Sequence, residues 1–217
     1  SDAYKIGVEY APVEDIRFRG SFQRAVRAAN IFELFSTQSI GLFDLTQGSN
    51  GIYDPCAGTT PTATAAQCAN TGVTAAQYGS IADNPAGQFN TLTGGNPDLE
   101  PETADTYTIG FVATPSMIPG LTVSLDYFDI TVEDLVGTVP QELALDTCLE
   151  TGDTFFCSLV NRGNGGTLWA GQTGYIVATN INTGSLSTSG FDLLASYALD
   201  LDARGGIDFD YVGTMLE

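Results

Sequence analysis

The sequence predicts an all-β protein whose antiparallel strands follow one another up and down and form part of the wall of a transmembrane β-barrel. Two observations support this fold class. Apolar and polar residues alternate over several stretches of about ten residues, a pattern typical of strands with one apolar and one polar face. The connections between these stretches are alternately very short and very long, as in bacterial outer-membrane barrels, which have short turns at one end and long loops at the other.

Six strands are predicted, and the first shows the pattern most simply. Tyr4, Ile6, Val8 and Tyr10 alternate with polar residues and glycine. A short turn then leads into a second alternating stretch, which predicts a hairpin. The predicted strands are 3–11, 16–28, 104–115, 121–135, 174–199 and 206–217, and the predicted outer loops are 29–103 and 136–173.

Three local features depart from simple alternation. The apolar positions shift by one after Tyr127, which predicts a β-bulge at Tyr127 and Phe128. The strand that starts near Gly174 is expected to bend around residues 182–184. Within the second loop, the Ala and Leu content of Gln141 to Leu149 predicts a helix of one or two turns.

The medium that meets the apolar face decides between a barrel and a soluble sandwich. Aromatic residues lie mostly on that face, several near strand ends, as the aromatic belts of a membrane barrel require. The opposite face is charged, which suits a water-filled lumen. The alternative is that the aromatic residues fill an ordinary sandwich core. The aromatic set is Tyr4, Tyr10, Phe22, Tyr107, Phe111, Tyr127, Tyr197 and Tyr211, and the charged set is Lys5, Glu9, Arg17, Arg19, Asp126, Asp192, Asp208 and Asp210.

The composition excludes several classes of function. The chain has 7 Lys and Arg against 26 Asp and Glu, and its formal net charge is -19. Such a surface repels nucleic acid phosphates and lacks the basic clusters that bind anionic lipid. No apolar run is long enough for a membrane-spanning helix. Because His is absent, most catalytic arrangements are unavailable, so we expect neither an enzyme nor a cofactor.

The four cysteines fall into two close pairs, Cys56 with Cys68 and Cys148 with Cys157. Three pairings are formally possible, and local disulfides within each loop are the pairing that closes short loops and leaves no thiol free. A metal site is the alternative. Zinc sites usually have cysteines two to four residues apart with histidine nearby, so we expect disulfides and no metal.

Four segments carry a resemblance to a known family. Arg19–Phe35 contains the pattern Arg-Ala-x-Arg-Ala-x-Asn-x-x-Glu-Leu-Phe, and Asn96–Thr103 contains Asn-Pro-x-Leu-x-Pro-Glu. Leu125–Ile130 and Ser189–Leu193 follow in the order that the family shows. In these segments the chain resembles the TonB-dependent receptors of the outer membrane, and only the long loops lie outside the matched parts.

The resemblance implies a barrel of about 22 strands with a plugged lumen. It implies a receptor in the outer membrane of a Gram-negative bacterium, surrounded by lipid and lipopolysaccharide, that imports a scarce nutrient. The nutrient would be a small molecule such as a ferric siderophore, cobalamin or an oligosaccharide. Energy would come from the TonB energy-coupling protein, which acts on the plug, and we expect the plug to lie outside this sequence.

Two groups of site residues follow from this interpretation. Arg24, Arg27 and Glu33 are expected to form a polar network at the mouth of the lumen, where charged groups need partners once water is restricted. Aromatic residues in the two loops are candidate ligand contacts, and the alternative is that they pack only their own loops. These residues are Tyr53, Tyr78, Phe155, Phe156 and Trp169.

Two other classes of protein share part of this composition. A secreted acidic β-rich adhesin would show a repeat period, and none is evident. A secreted carbohydrate-binding or carbohydrate-active β-sandwich module would bury its aromatic residues between two sheets.

Overall fold

The computed structural model of the protein describes residues 2–217, except for the side chain of residue 204. Strands form most of the regular structure, as predicted. That described part contains four α-helices, α1 (Ile31–Phe35), α2 (Ala65–Asn70), α3 (Gln141–Thr151) and α4 (Thr154–Leu159), and a short 3-10 helix, Asp202–Arg204. The strands are β1 (Tyr4–Val13), β2 (Ile16–Arg27), β3 (Ser39–Asp44), β4 (Gln88–Thr93), β5 (Glu102–Ala113), β6 (Leu121–Glu133), β7 (Val136–Gly137), β8 (Val160–Asn161), β9 (Tyr175–Val177), β10 (Ile181–Asn182), β11 (Leu186–Asp200) and β12 (Gly206–Leu216).

The chain divides into two compact units. The first, called the sheet unit, contains the residues up to Ala28, Glu100–Leu135 and Gly184–Glu217. The second, called the loop unit, contains Ala29–Leu99 and Val136–Thr183. The loop unit is therefore built from the two long segments that connect strands of the sheet unit.

The sheet unit is a single antiparallel sheet with the strand order β1-β2-β5-β6-β11-β12. The strands of this sheet lie side by side in the order in which they occur in the sequence, because β3, β4 and β7 to β10 belong to the loop unit. This is the predicted up-and-down arrangement. The tight connections, residues 14–15, 114–120 and 201–205, all lie at one end of the sheet. We call this the short-turn end, and the opposite end, from which the two long segments leave, the long-loop end.

One face of the sheet is apolar along its middle. The strand register aligns Ile6 with Phe22, Phe22 with Tyr107, and Leu125 with Leu193 on this face. Phe22 and Leu125 are half-buried, whereas Tyr107 and Leu193 are exposed, and Ile6 and Ile109 are each 66% exposed. Exposed apolar patches of this extent mark a surface that contacts another apolar medium or partner. We call it the apolar face and the other side the charged face.

The predicted bulge at Tyr127 and Phe128 is wrong. β6 pairs without interruption from Leu121 to Glu133 against β5 and β11 together. The pattern shifts because the two faces exchange polarity toward the long-loop end, where the apolar face carries Asp129, Thr131 and Glu133. A strand of 13 residues is about 43 Å long, and on this face its apolar residues end at Tyr127. The strand therefore continues past the apolar part of the face.

The predicted strand 174–199 is also corrected. Its first part forms β9 and β10, which belong to the loop unit, and β11 alone, from Leu186 to Asp200, joins the sheet. β9 pairs in parallel with β4, and β10 pairs with β7. Gly184 has a φ of 129°, a conformation that favours glycine, and the chain changes from one unit to the other beside it.

The loop unit has a hydrophobic core of its own. A four-stranded mixed sheet of order β3-β4-β9-β8 packs with α2, α3 and α4. Phe89, Ile81, Leu145, Leu168 and Ile176 are its largest fully buried apolar side chains. Strands β3 and β4 lie inside the predicted first loop, 29–103, which was expected to be irregular. Both long segments therefore contribute to one folded body.

Helix α3 is longer than predicted. It runs for 11 residues, about three turns, where one or two turns were expected. Ala144, Leu145, Cys148 and Leu149 are buried along it, so tertiary packing extends the helix beyond what its local propensity supports. Within residues 2–217, no helix is both long and apolar enough to cross a membrane.

Candidate functional site

A row of charged residues crosses the charged face of the sheet. Arg19 donates two hydrogen bonds to Asp126, from Nε at 2.7 Å and from Nη2 at 2.5 Å. Its Nη2 also lies 3.0 Å from Oγ of Ser124, which donates to Asp126 at 2.7 Å. The same face carries Lys5 and Glu9 around a recess of about 610 Å³. The arrangement is a paired, water-accessible polar surface.

Gly110 makes the Arg19–Asp126 pair possible. In the strand register Arg19 is opposite Gly110, and Gly110 is opposite Asp126. The arginine therefore reaches its carboxylate across a residue without a side chain. A Cβ atom at Gly110 would lie 2.2 Å from Oδ1 of Asp126 and 2.5 Å from the carbonyl oxygen of Leu125, so nothing larger than glycine fits there.

We expect Gly110→Ala to destabilise the folded protein by about 1–3 kcal/mol, because the added methyl group must displace backbone and carboxylate atoms. The temperature at which the full-length protein loses its fast-migrating folded form in gel electrophoresis measures this. Gly20→Ala is the matched control, since its Cβ atom would meet only the carbonyl oxygen of Thr108, at 3.7 Å. Equal melting temperatures for the two variants would contradict the proposed role of Gly110.

The predicted network of Arg24, Arg27 and Glu33 is divided by the sheet. Arg24 and Arg27 are three residues apart in β2 and therefore point to opposite faces. Arg24 pairs with Asp105 toward the long-loop end of the apolar face. Arg27 pairs with Glu102 on the charged face, with Nε to Oε2 at 2.5 Å. The placement of Arg24 in one lumen-facing network with Arg27 is thus wrong, because the strand alternation separates them.

Glu33 has a local role at the start of α1. Its carboxylate accepts a hydrogen bond from the backbone N–H of Asn30 at 2.7 Å, and the Asn30 side chain accepts from Glu33 N–H at 2.9 Å. This reciprocal capping box satisfies N–H groups at the helix start that have no partner within the helix. The Asn and Glu of the matched motif therefore begin a helix.

Both predicted disulfides are confirmed. Cys56 is bonded to Cys68 and Cys148 to Cys157, and each bridge lies within one of the two long segments. In the described part of the chain, no group of three His, Cys, Asp or Glu residues is arranged to hold a metal ion.

A buried ion pair links the two long segments. Arg162 donates to both carboxylate oxygens of Asp54, at 2.6 and 3.0 Å, and the two side chains are each only 2% exposed. Arg162 also donates to Oγ1 of Thr71 at 2.8 Å and to the carbonyl oxygen of Gly166 at 2.9 Å. The charges are thus fully hydrogen-bonded, which a buried pair requires to be tolerated.

Most of the candidate aromatic contacts pack within the loop unit. Tyr53 and Phe156 are half-buried against its core. The Tyr78 hydroxyl donates to the carbonyl oxygen of Ala63 at 2.9 Å, and Trp169 Nε1 donates to that of Ala82 at 3.0 Å.

Phe155 differs from the other four candidates, because it is 47% exposed. It touches its neighbour Phe156 edge-on, with ring centroids 5.2 Å apart. The five rings therefore do not form one exposed surface, and Phe155 is the one whose ring is open to solvent.

The loop unit has a strongly negative surface. It contains nine Asp and Glu residues and one basic residue, Arg162, whose charge is buried against Asp54. On α3, burial raises the pKa of Asp146, and the nearby carboxylates of Glu142 and Glu150 raise it further. Asp146 therefore gives up its proton less readily than an isolated aspartate does.

Sequence reasoning missed the pairing of these charges. Arg19 and Asp126 were both placed on the charged face, but they are 107 residues apart and Asp54 and Arg162 are 108 apart. Alternation within a strand assigns a face, whereas only the register between strands assigns a partner.

Comparison with known proteins agrees with the predicted fold class. A family model described as "TonB dependent receptor-like, beta-barrel" matches residues 2–214. The chain is similar to a mutant ferric enterobactin receptor (PfeA) from Pseudomonas aeruginosa, solved in complex with enterobactin, with 13% identity and a TM-score of 0.52. The siderophore receptor PirA from Acinetobacter baumannii gives 13% identity and a TM-score of 0.52.

In both comparisons with solved structures, the match covers 98% of this chain and 22% of the other. The chain therefore spans about a fifth of the length of these receptors, and at this identity the likeness concerns the fold. The comparison with curated proteins found no match.

Proposed function

The chain belongs to the TonB dependent receptor-like β-barrel family, and from this premise we propose that it forms part of the barrel wall and the outer loops of an active transport receptor. The receptor would lie in the outer membrane of a Gram-negative bacterium and import a scarce nutrient. Members of this family are receptors rather than enzymes.

The main observation that supports this proposal is the exposed apolar face of the sheet. A soluble sandwich covers such a face with a second sheet about 10 Å away, whereas Ile6, Val8 and Ile109 each remain about two-thirds exposed. A lipid bilayer supplies the apolar medium that these side chains lack. The secreted adhesin or carbohydrate-active sandwich, in which protein covers this face, is therefore disfavoured.

The partners follow from this location. Lipid would contact the apolar face, and lipopolysaccharide would border its polar margin at the long-loop end, where Arg24, Asp105 and Asp129 lie. The TonB energy-coupling protein would act through the plug segment of the receptor. The ligand would be a ferric siderophore, cobalamin or an oligosaccharide, and Phe155 is the loop aromatic placed to stack against it.

Cell fractionation and uptake measurements test the proposal. We expect the full-length protein to stay in the outer membrane after salt washing and to require detergent for extraction. Uptake of one of three labelled probes, ferric enterobactin, cyanocobalamin or maltotriose, should fall to background when the gene is deleted or the proton gradient is dissipated. Recovery of the protein in the soluble secreted fraction would overturn the proposal.

A further inference from the structure

A recess in the loop unit is lined entirely by uncharged residues. It has a volume of about 320 Å³ and is formed by Ser36, Thr93, Gly94, Thr138, Gln141, Ala178 and Asn180. These residues come from both long segments of the chain. We call it the neutral recess. Its lining contrasts with that of the recess on the charged face of the sheet, which includes Lys5, Arg19 and Asp126.

Backbone hydrogen bonds hold the walls of the neutral recess in place. Ala178 N–H donates to the Leu92 carbonyl oxygen at 2.8 Å, and Asn180 N–H donates to that of Gly94 at 3.2 Å. Gly94 has a φ of 141°, and a Cβ atom there would lie 2.6 Å from Cα of Gln38, so this wall requires glycine. The recess is therefore formed before any ligand arrives.

The recess presents hydrogen-bonding groups that the protein itself leaves unused. Among the residues that the structure describes, the hydroxyls of Ser36, Thr93 and Thr138 have no side-chain hydrogen bond. Gln141 donates through Nε2 to Oγ1 of Thr91 at 3.0 Å, and Asn180 donates through Nδ2 to the Glu33 carbonyl oxygen at 3.2 Å. Both amide oxygens therefore remain as acceptors.

The net charge of the loop unit disfavours the binding of anions. The loop unit has nine carboxylates and one buried, paired arginine, so an anion meets repulsion and finds no cation at this surface. Repulsion acts over about 10 Å at 0.1 M salt. A cation would find no carboxylate within the lining. Hydroxyl and amide groups without charge match the donors and acceptors of a polyol.

We propose that the neutral recess is a binding site for an uncharged carbohydrate, and that this loop unit does not recognise an anionic iron chelate. The inference rests on the proposed function, in that it names the class of nutrient that an outer-membrane receptor with these loops would capture. Ser36, Thr93, Thr138, Gln141 and Asn180 would supply the hydrogen bonds that fix the sugar.

Calorimetric titration of the full-length protein in detergent tests the site. The probes are maltotriose, cellotriose and xylotriose, with ferric enterobactin as the anionic comparison. We expect at least one trisaccharide to bind and ferric enterobactin to give no heat of binding. Thr93→Val removes one hydroxyl at nearly constant shape and should weaken sugar binding about fivefold to tenfold.

Thr59→Val is the matched control, because Thr59 is an exposed threonine of the same unit outside the recess. The affinity of the Thr59→Val variant for the sugar should equal that of the unmodified protein. The proposal is overturned if none of the trisaccharides binds, if ferric enterobactin binds, or if Thr93→Val and Thr59→Val bind sugar equally. The proposed function is tested separately. In each of these cases it would still be supported if the protein stayed in the outer membrane and its uptake activity depended on the proton gradient.

Discussion

An arginine placed at Ala195 will prevent assembly of the full-length protein in the outer membrane, or destabilise it by about 2–4 kcal/mol, the cost of a cationic side chain at the bilayer midplane. Ala195 lies midway along the apolar part of β11, between Val123 and Tyr211 on the neighbouring strands. Its substitution places a guanidinium group where the proposal places lipid. The measurement is the amount of heat-modifiable folded protein in purified outer membranes.

The adjacent residue provides the control. Ser196 is also small and half-buried, but it lies on the charged face beside Asp210. Ser196→Arg should assemble as the unmodified protein does, because the new guanidinium group gains a carboxylate partner in a wet environment. If Ala195→Arg assembled as well as Ser196→Arg, the apolar face would not contact lipid, and the barrel assignment of the sheet would fail.

Replacing Arg162 with methionine will destabilise the loop unit by about 3–5 kcal/mol, since it leaves the Asp54 carboxylate buried without its countercharge. Arg162 also holds Thr71 and Gly166, so these groups lose a donor as well. Hydrogen exchange read by mass spectrometry measures the change as faster exchange across residues 29–99 and 136–183 of the full-length protein.

Arg17→Met is the comparison for Arg162→Met. The ion pair of Arg17 with Glu9 spans 3.7 Å, and both side chains are more than half exposed, so its loss should cost no more than about 1 kcal/mol. Unchanged exchange in the loop unit of Arg162→Met would show that the buried pair does not hold the two segments together.

Much of the sheet could be predicted from the sequence, and the reason is its periodicity. Tyr4, Ile6 and Val8 alternate with polar residues because each strand of a single-layer sheet meets two different surroundings. The same argument explains the error at Tyr127. A change of polarity along an unbroken strand produces the same shift of pattern as a bulge, and only the pairing of β6 with both neighbours distinguishes them.

The loop unit was much less predictable. Its strands are as short as two residues, and β4 pairs in parallel with β9 although Thr91 and Ile176 are 85 positions apart. Such pairings depend on contacts distant in sequence, and short elements carry no clear period. The disulfides were predictable because the spacing of Cys56 and Cys68 restricts their choice of partner. The candidate aromatic contacts were found by residue type, and Tyr78 and Trp169 instead hydrogen-bond within their own loops.

The shared core of the two long segments constrains how this part of the protein can be re-engineered. Leu145 from the second segment is buried in the same core as Phe89 from the first, and Asp54 and Arg162 supply one half each of an enclosed pair. A chimera that exchanges a single segment with another barrel would lose the core residues of that segment. It would also leave either Asp54 or Arg162 buried without its partner. Transfer of the loop unit to a different scaffold therefore requires that both long segments be moved together.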